Sequence, residues 1–424
     1  MKTYLRTLFA GLSLFAACLA VAAPASQQQL QQLARQEQPA LLETLRALVE
    51  VESGSKDLEG LAQLAGLIAA KLKALGGEVS LIEPTDLYRM EDTPARVGSM
   101  VRAEFKGRGT KKVLFIAHMD TVYLKGMLKD QPFRVEGNKA YGLAIADDKQ
   151  GVATILHAIA LLKKAGIDEY GTLTVLINGD EEISSPGSRA AISSLAADQD
   201  MTLSFEAGNT QGGVRLATSG IGAAYLSVEG RASHAGSRPE GGLNALTELA
   251  HQVLQMQDLS EPGAGLKLNW TMAQAGTNRN VIPAGATAQA DARALRVADF
   301  DRLENEMQRR LQNGRVPGAK VQLKFEVRRP PLEATDASRA LARRAQAIYG
   351  ELGLPMKVAD VATGGGTDAA FAALRARGPV IEGLGLTGFG AHSNDAEHVD
   401  TDTIVPRLYL VARLVMEVSA GRAP

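Results

Sequence analysis

The residues best equipped for chemistry gather where apolar runs stop. The run VLFIA, Val113 to Ala117, ends in His118-Met119-Asp120, and TLTVLIN ends in Gly179 and then Asp180-Glu181-Glu182. TLSF leads into Glu206, and the Gly-rich GLGLTGFGAHSND carries His392. A fifth stretch, AIADDKQG, sets Asp147 and Asp148 just ahead of a helical pattern. Open α/β sheets collect ligands beyond the carboxyl ends of their strands, so polar residues that directly follow buried strands mark a candidate site. Carboxylates crowded at one edge repel one another unless a cation neutralises them. Nitrogen and oxygen donors without thiolate suit Zn²⁺, with Co²⁺ or Mn²⁺ as alternatives, at an open catalytic site and not a closed structural one.

Each residue also has an ordinary reading. Asp147 or Asp148 alone would be a helix N-cap, and Glu181-Glu182 alone a solvated turn. His118 alone could be a satisfied, partly buried histidine, as His157 in ILHAIALL is read to be. The joint placement of two histidines and four carboxylates at strand ends or a helix start is what favours metal.

The elements that would position these groups follow from periodicity. Helical patterns cover Gln27 to Val51 and Leu58 to Leu75, the second with Leu61, Leu64, Ile68 and Leu72 on one stripe and Gly76-Gly77 at its end. Val113 to Ala117 and Leu173 to Ile177 read as buried strands, and Lys149 to Lys164 as a helix. This alternation predicts an α/β layer. From about Gly220 to Val327 the pattern becomes strand, helix, strand, strand, helix, strand, a βαββαβ unit able to fold by itself. Helices follow at Asp336 to Leu352 and Ile404 to Val418, with a short buried run at Val380-Ile381. The expected division is a signal segment 1–23, a first catalytic part 24–218, a smaller α+β insert 219–328 and a second catalytic part 329–424.

Composition narrows the setting. The chain has 424 residues, 45% hydrophobic and 22% charged, with 46 bases against 47 acids. That balance offers no basic footprint for nucleic acid or an anionic membrane surface. Lys2 and Arg6 precede an apolar run from Thr7 to Val21 and the small residues Ala22 and Ala23, which reads as a secretory signal and predicts a periplasmic or secreted protein. The run is short for a membrane span. Phe15-Ala16-Ala17-Cys18 loosely resembles a lipoprotein cleavage box, although an apolar tail continues beyond it. Cys18 is the sole cysteine, so the processed chain would have neither disulfides nor thiolate ligands.

IAHMDTVYLKG, YGLAIADDKQG, NGDEEISSPGSR, SFEAG, RASHAGSRPEGGLNA, TGGGTDAAF and GFGAHSNDAEHVD together resemble the dinuclear-zinc exopeptidase and aminoacylase family, in order and from about Gln38 to the C terminus. They are most similar to its glutamate carboxypeptidase branch, which removes C-terminal glutamate from folates and related N-acyl glutamates. The resemblance implies a mixed-sheet catalytic domain interrupted by a ferredoxin-like dimerisation or lid domain, two Zn²⁺ per subunit, and a homodimer formed through the insert. It implies that Asp147 bridges the metals, with His118 and Glu206 completing one site and Glu182 and His392 the other. It implies a cis peptide between Asp147 and Asp148, Asp120 orienting the His118 ring, and Glu181 as general base for a hydroxide shared by the two ions. It further implies that His234 of the partner subunit's insert stabilises the oxyanion, while Asn280, Arg293 and the Gly366 loop hold the substrate α-carboxylate.

Two positions depart from the family pattern: Ala144 stands where a Gly-x-Gly turn is usual, and Ala207 where proline is usual. A glutamate side chain also needs a cation, and Arg215, Arg328 and Arg329 are all candidates. The expected activity is hydrolysis of N-acyl glutamates. The alternatives are an aminoacylase or dipeptidase with another side-chain preference, or a non-catalytic periplasmic metal- or peptide-binding protein.

Overall fold

A computed structural model of the chain describes residues 26–209, 212–393 and 396–422. The signal segment and Cys18 lie outside the described residues. Helices α1 (Gln27–Val49) and α2 (Leu58–Ala74) open the fold, each with a side-chain cap: Ser26 accepts from the Gln29 N–H and Asp57 from that of Gly60. Both caps satisfy N–H groups that a helix start leaves unpaired. The Leu61, Leu64, Ile68 and Leu72 stripe of α2 is buried, and Gly76 follows with a φ of 85°, a left-handed value that glycine adopts at no steric cost.

Strands β1 (Glu78–Ile82), β2 (Met100–Lys106), β3 (Lys112–His118), β4 (Thr172–Asn178) and β5 (Met201–Ser204) then form one sheet, with α3 (Gln150–Lys164) between β3 and β4. A last short strand at 380–381 completes the order β1-β2-β4-β3-β5-380/381. β3 runs parallel to β4 and β5, whereas β2 is antiparallel to β4, so the sheet is mixed. The unbroken apolar run of β3 is explained by burial on both faces. Val113, Phe115 and Ala117 pack into the larger core with α1 and α3, while Leu114 and Ile116 face Ile192 and Phe371 on the other side.

Residues 220–329 leave this sheet and build another. Strands β6 (Gly220–Glu229), β7 (Lys267–Ala275), β8 (Gly285–Ala294) and β9 (Lys320–Arg329) pair antiparallel in the order β7-β8-β6-β9. Helices α4 (Ala245–Gln255) and α5 (Val297–Leu311) cover one face of it. Small residues on that face, Ala224, Ala290 and Ala292, give room for Phe300, Leu303 and Met307 of α5. The connectivity is the ferredoxin-like βαββαβ pattern. The chain returns through α6 (Asp336–Gly350) and ends in α7 (Ile404–Ser419), which packs against α1 and α3. Among the described residues no helix is long and apolar enough to cross a membrane.

Candidate active site

The carboxyl ends of β3 and β4 lie side by side, with His118 in register with Asn178, so the loops after both strands open on one edge. His118 is the last residue of β3; Glu181 and Glu182 form a single turn after β4; Glu206 follows β5 by two residues. Asp147 sits in an irregular turn ahead of α3, where the Asp147–Asp148 peptide is cis. The first turn of α3 has no side-chain cap, so neither aspartate is an N-cap. Glu181 is buried and the side chain of the half-buried Glu182 is only 8% exposed, which removes the solvated-turn reading.

Donor atoms of His118, Glu181 and Glu206 lie within 4.8 Å of one another, as do those of Asp147, Glu182 and His392. Asp147 joins the two groups. Its Oδ1 is 3.0 Å from His118 Nε2 and its Oδ2 is 3.2 Å from His392 Nε2. His118 Nε2 is also 3.3 Å from Glu206, and His392 Nε2 is 3.3 Å from Glu182. Two donors on one tetrahedral zinc, each bonded at about 2.0–2.1 Å, stand about 3.3 Å apart. The observed spacings therefore match ligands of a common ion.

Electrostatics point the same way. Burial pushes the Glu206 carboxyl up to about 7, with Asp147 adding to it, and Asp147 and Glu182 push His392 up to about 11. Glu182, Glu206 and both imidazoles hold protons more tightly than usual, the signature of a centre short of positive charge, while against the effect of burial His118 and His392 hold the bridging Asp147 carboxyl below its ordinary range. His118 Nδ1 faces the carbonyl oxygen of Asp120 at 3.1 Å, a group that can only accept. With a proton on Nδ1, the neutral imidazole turns the Nε2 lone pair toward two carboxylates, an arrangement that a cation resolves. Glu182 Oε1 is buried without a hydrogen-bond partner among the described residues. These residues fit a pair of metal ions.

Asp120 meets both the His118 ring and the turn after β4. The ring of His118 is held chiefly by its backbone carbonyl, the carboxylate standing 3.4 Å away. The carboxylate also accepts the N–H groups of Glu181 (2.9 Å) and Glu182 (3.1 Å) and the Ser55 hydroxyl (2.7 Å). It thus fixes the turn that carries both glutamates. Glu181 Oε1 is 2.9 Å from the guanidinium of the buried Arg329, whose other nitrogen meets Asp368 at 2.7 Å. Burial raises the Glu181 carboxyl well above the usual carboxylate range, and Arg329 draws it partly back.

The remaining expected residues lie on the insert and its approach. His234 and Asn280 meet on a small two-stranded ribbon, where the Ala235 N–H donates to the Asn280 carbonyl at 2.9 Å. Neither joins the donor groups. His234 Nδ1 accepts the N–H groups of Gly236 and Ser237, both at 3.1 Å, so Nε2 carries the proton and is free to donate. Arg293 is forked onto Asp291 at 2.9 Å and reaches the Gly364 carbonyl at 3.1 Å. Gly365, and not Gly366, lines the cleft beside Asp147 and Glu206. A Cβ on Gly366 would stand 2.9 Å from both Arg329 Cδ and Ile221 Cδ1, so its glycine makes room for that packing.

Two supports escaped the sequence reading. Glu397, fully buried, accepts the N–H groups of Ala146 (2.8 Å) and Asp147 (3.1 Å) and the Tyr123 hydroxyl, holding the turn that presents Asp147. Its only local signal was its place five residues after His392. The second is the clamp of Arg329 on Glu181, which had been weighed only as a substrate cation.

Fold and site together define a metallopeptidase. The family model described as Peptidase family M20/M25/M40 matches residues 114–417. Carboxypeptidase G2 of Pseudomonas sp. (strain RS-16) is 46% identical over 394 residues, 92% of each chain. The fold is shared with an M20 family metallo-carboxypeptidase from Sulfolobus solfataricus, with a TM-score of 0.70 at 15% identity over 90% of this chain and 99% of that one. It is also shared with a dinuclear metal binding peptidase of the M20 family from Bacillus subtilis, with a TM-score of 0.63 at 16% identity over 91% and 99% of the two chains. The protein belongs to peptidase family M20/M25/M40.

Proposed function

We propose that this metallo-carboxypeptidase hydrolyses the amide linking an acyl group, folate-like pteroyl-aminobenzoyl groups included, to a C-terminal glutamate. The observation that carries the reading is the pairing of two donor groups through Asp147 with Glu181 alongside, on a chain 46% identical to Carboxypeptidase G2. His118 and Glu206 would hold one Zn²⁺, Glu182 and His392 the other, and Asp147 both. Bound there, the ions would polarise the scissile carbonyl and bring the pKa of water to about 7.

The chain's own groups do the rest. Arg329 engages Glu181 Oε1, which leaves Oε2 to take a proton from the attacking water and pass it to the leaving amine. Asp120 keeps Glu181 and Glu182 on one rigid turn, so the base and a ligand hold their separate directions. His234 presents an N–H suited to a developing oxyanion. Arg293, Asn280 and the loop at Gly365 would receive the substrate α-carboxylate.

The reading includes a homodimer formed through the insert, residues 219–328, with the rest of the chain as catalytic domain. Its supports are the ribbon carrying His234 and Asn280, set apart from the donor groups, and the exposed edge strand β7, where Met272 is 56% exposed. The leader at residues 1–23 supports export to the periplasm or beyond. The test is hydrolysis of folate, 4-aminobenzoyl-glutamate and N-acyl derivatives of other amino acids by zinc-loaded and chelator-treated protein. Zinc-dependent release of glutamate is expected. Equal turnover of all side chains would make the protein a general aminoacylase or dipeptidase, and absence of turnover would leave a binding protein.

A further inference from the structure

A glutamyl leaving group brings two carboxylates into the site, and the α-carboxylate accounts for only one. Of the three arginines that could meet the other, the structure removes two. Arg328 pairs with Asp92 at 2.8 Å and donates to the Tyr225 hydroxyl at 3.3 Å. Arg329 is 2% exposed and committed to Glu181 and Asp368.

Arg215 differs from both. It lines the 470 Å³ cleft that opens beside Asp147 and Glu206, and it is the only cation among the described residues of that lining. One of its nitrogens donates to the Ala207 carbonyl at 2.9 Å, which fixes the guanidinium against the backbone just after Glu206. Its nearest carboxylate, on the buried Glu382, stands 4.0 Å away, at the limit of an ion pair. A quarter of the side chain remains accessible, at 24%. The same lining carries Thr363 and Gly365, the latter in the loop that Arg293 contacts through the Gly364 carbonyl. The cleft thus brings Arg215 together with the glycine loop whose Gly364 carbonyl Arg293 holds from outside the lining. Its volume lies within the roughly 300–1,000 Å³ of ordinary small-molecule sites.

We propose that Arg215 is the specificity-determining residue that pairs with the side-chain carboxylate of the departing amino acid. This rests on the reading of the protein as an N-acyl amino acid carboxypeptidase. A guanidinium held at one nitrogen offers its remaining N–H groups to a carboxylate in a fixed fork. A neutral side chain of the same length gains nothing from it and leaves the cation desolvated.

The experiment compares kcat/KM for N-benzoyl-glutamate, N-benzoyl-glutamine and N-benzoyl-norleucine in wild type, Arg215→Gln and Arg215→Lys, all zinc-loaded. Wild type should prefer glutamate. Arg215→Gln should lose about 30- to 100-fold on the glutamate substrate, the scale of a partly exposed charge pair losing one partner. It should change by less than about threefold on norleucine, and Arg215→Lys, which keeps the charge but not the fork, should recover only part of the preference. Turnover of norleucine by the variant serves as its own control for folding. A parallel loss on all three substrates would overturn the proposal, leaving Arg215 as a structural counter-charge to Glu382 while the carboxypeptidase reading stands. Failure of wild type to release glutamate at all would overturn that reading, and the proposal with it.

Discussion

Asp120→Asn probes the turn that carries both glutamates. The Asp120 carboxylate is fully buried and accepts three hydrogen bonds, from the Glu181 N–H at 2.9 Å, the Glu182 N–H at 3.1 Å and the Ser55 hydroxyl at 2.7 Å. An asparagine amide offers one accepting oxygen and one NH₂ that only donates. One backbone N–H then faces a donor and stays buried without a partner, which costs about 1–3 kcal/mol. The bond that survives loses its ionic character, roughly halving its strength. Removing a negative charge near Asp180 and Glu182 offsets part of this, because Asp120 raises the pKa of both. The net expected loss is about 1–2 kcal/mol of unfolding free energy in the metal-free protein. Zinc affinity should fall roughly 10- to 100-fold, as it does when groups supporting a metal's ligands are removed. His118 keeps its orientation, since the backbone carbonyl 3.1 Å from Nδ1 is untouched. Urea unfolding of chelator-treated protein measures the first effect, and competition against a chromophoric chelator the second. An apo variant as stable as wild type, or one binding zinc equally well, would refute the assignment of the carboxylate to the 181–182 turn.

Glu181→Gln should lower kcat by about 10²–10⁴-fold, the range of a positioned general base, while zinc content stays unchanged. The amide oxygen can still accept from Arg329, so the fold should hold; loss of zinc would make Glu181 a ligand instead. A pH effect is expected far from the site. Burial pushes the Glu417 carboxyl up, but Arg344 at 2.8 Å, Arg422 at 3.2 Å and Arg413 at 3.3 Å outweigh it and bring the pKa down to about 2. A carboxylate depressed in the folded state contributes stability above its unfolded pKa of about 4.3, and that contribution fades as pH falls toward 2. Chelator-treated Glu417→Gln should therefore lose less stability than wild type between about pH 4.5 and 2, measured from denaturant midpoints. Parallel curves would count against the three-arginine pairing.

What could be read from the sequence was what local pattern encodes. β3 is apolar from Val113 to Ala117 because both its faces are covered, and the βαββαβ insert shows its succession of strands and helices. The ligand candidates stood out because they follow such strands directly. His157, read as a satisfied and partly buried histidine, is satisfied and more deeply buried: its nitrogens meet Glu37 at 2.8 Å and Thr44 at 2.9 Å. Strand β1, EVSLI, was missed because it is an edge strand with no buried position, so its composition carries no period. The Arg329 clamp on Glu181 spans 148 positions and that of Glu397 on Asp147 spans 250, and no local spacing encodes such pairs. The N-cap reading of Asp147 and Asp148 failed because α3 begins beyond them without a cap, while Glu397 turns the Asp147 backbone toward the metal edge. Ala144 has a left-handed φ of 59°, a conformation that glycine adopts at no steric cost.

Zinc content and placement test the central claim most directly. Elemental analysis of the zinc-loaded protein, with anomalous diffraction from its crystals, should give two ions per chain about 3.5–4 Å apart. One should touch His118 and Glu206, the other Glu182 and His392, and Asp147 should touch both. A single ion, or two ions not joined by Asp147, would contradict the account.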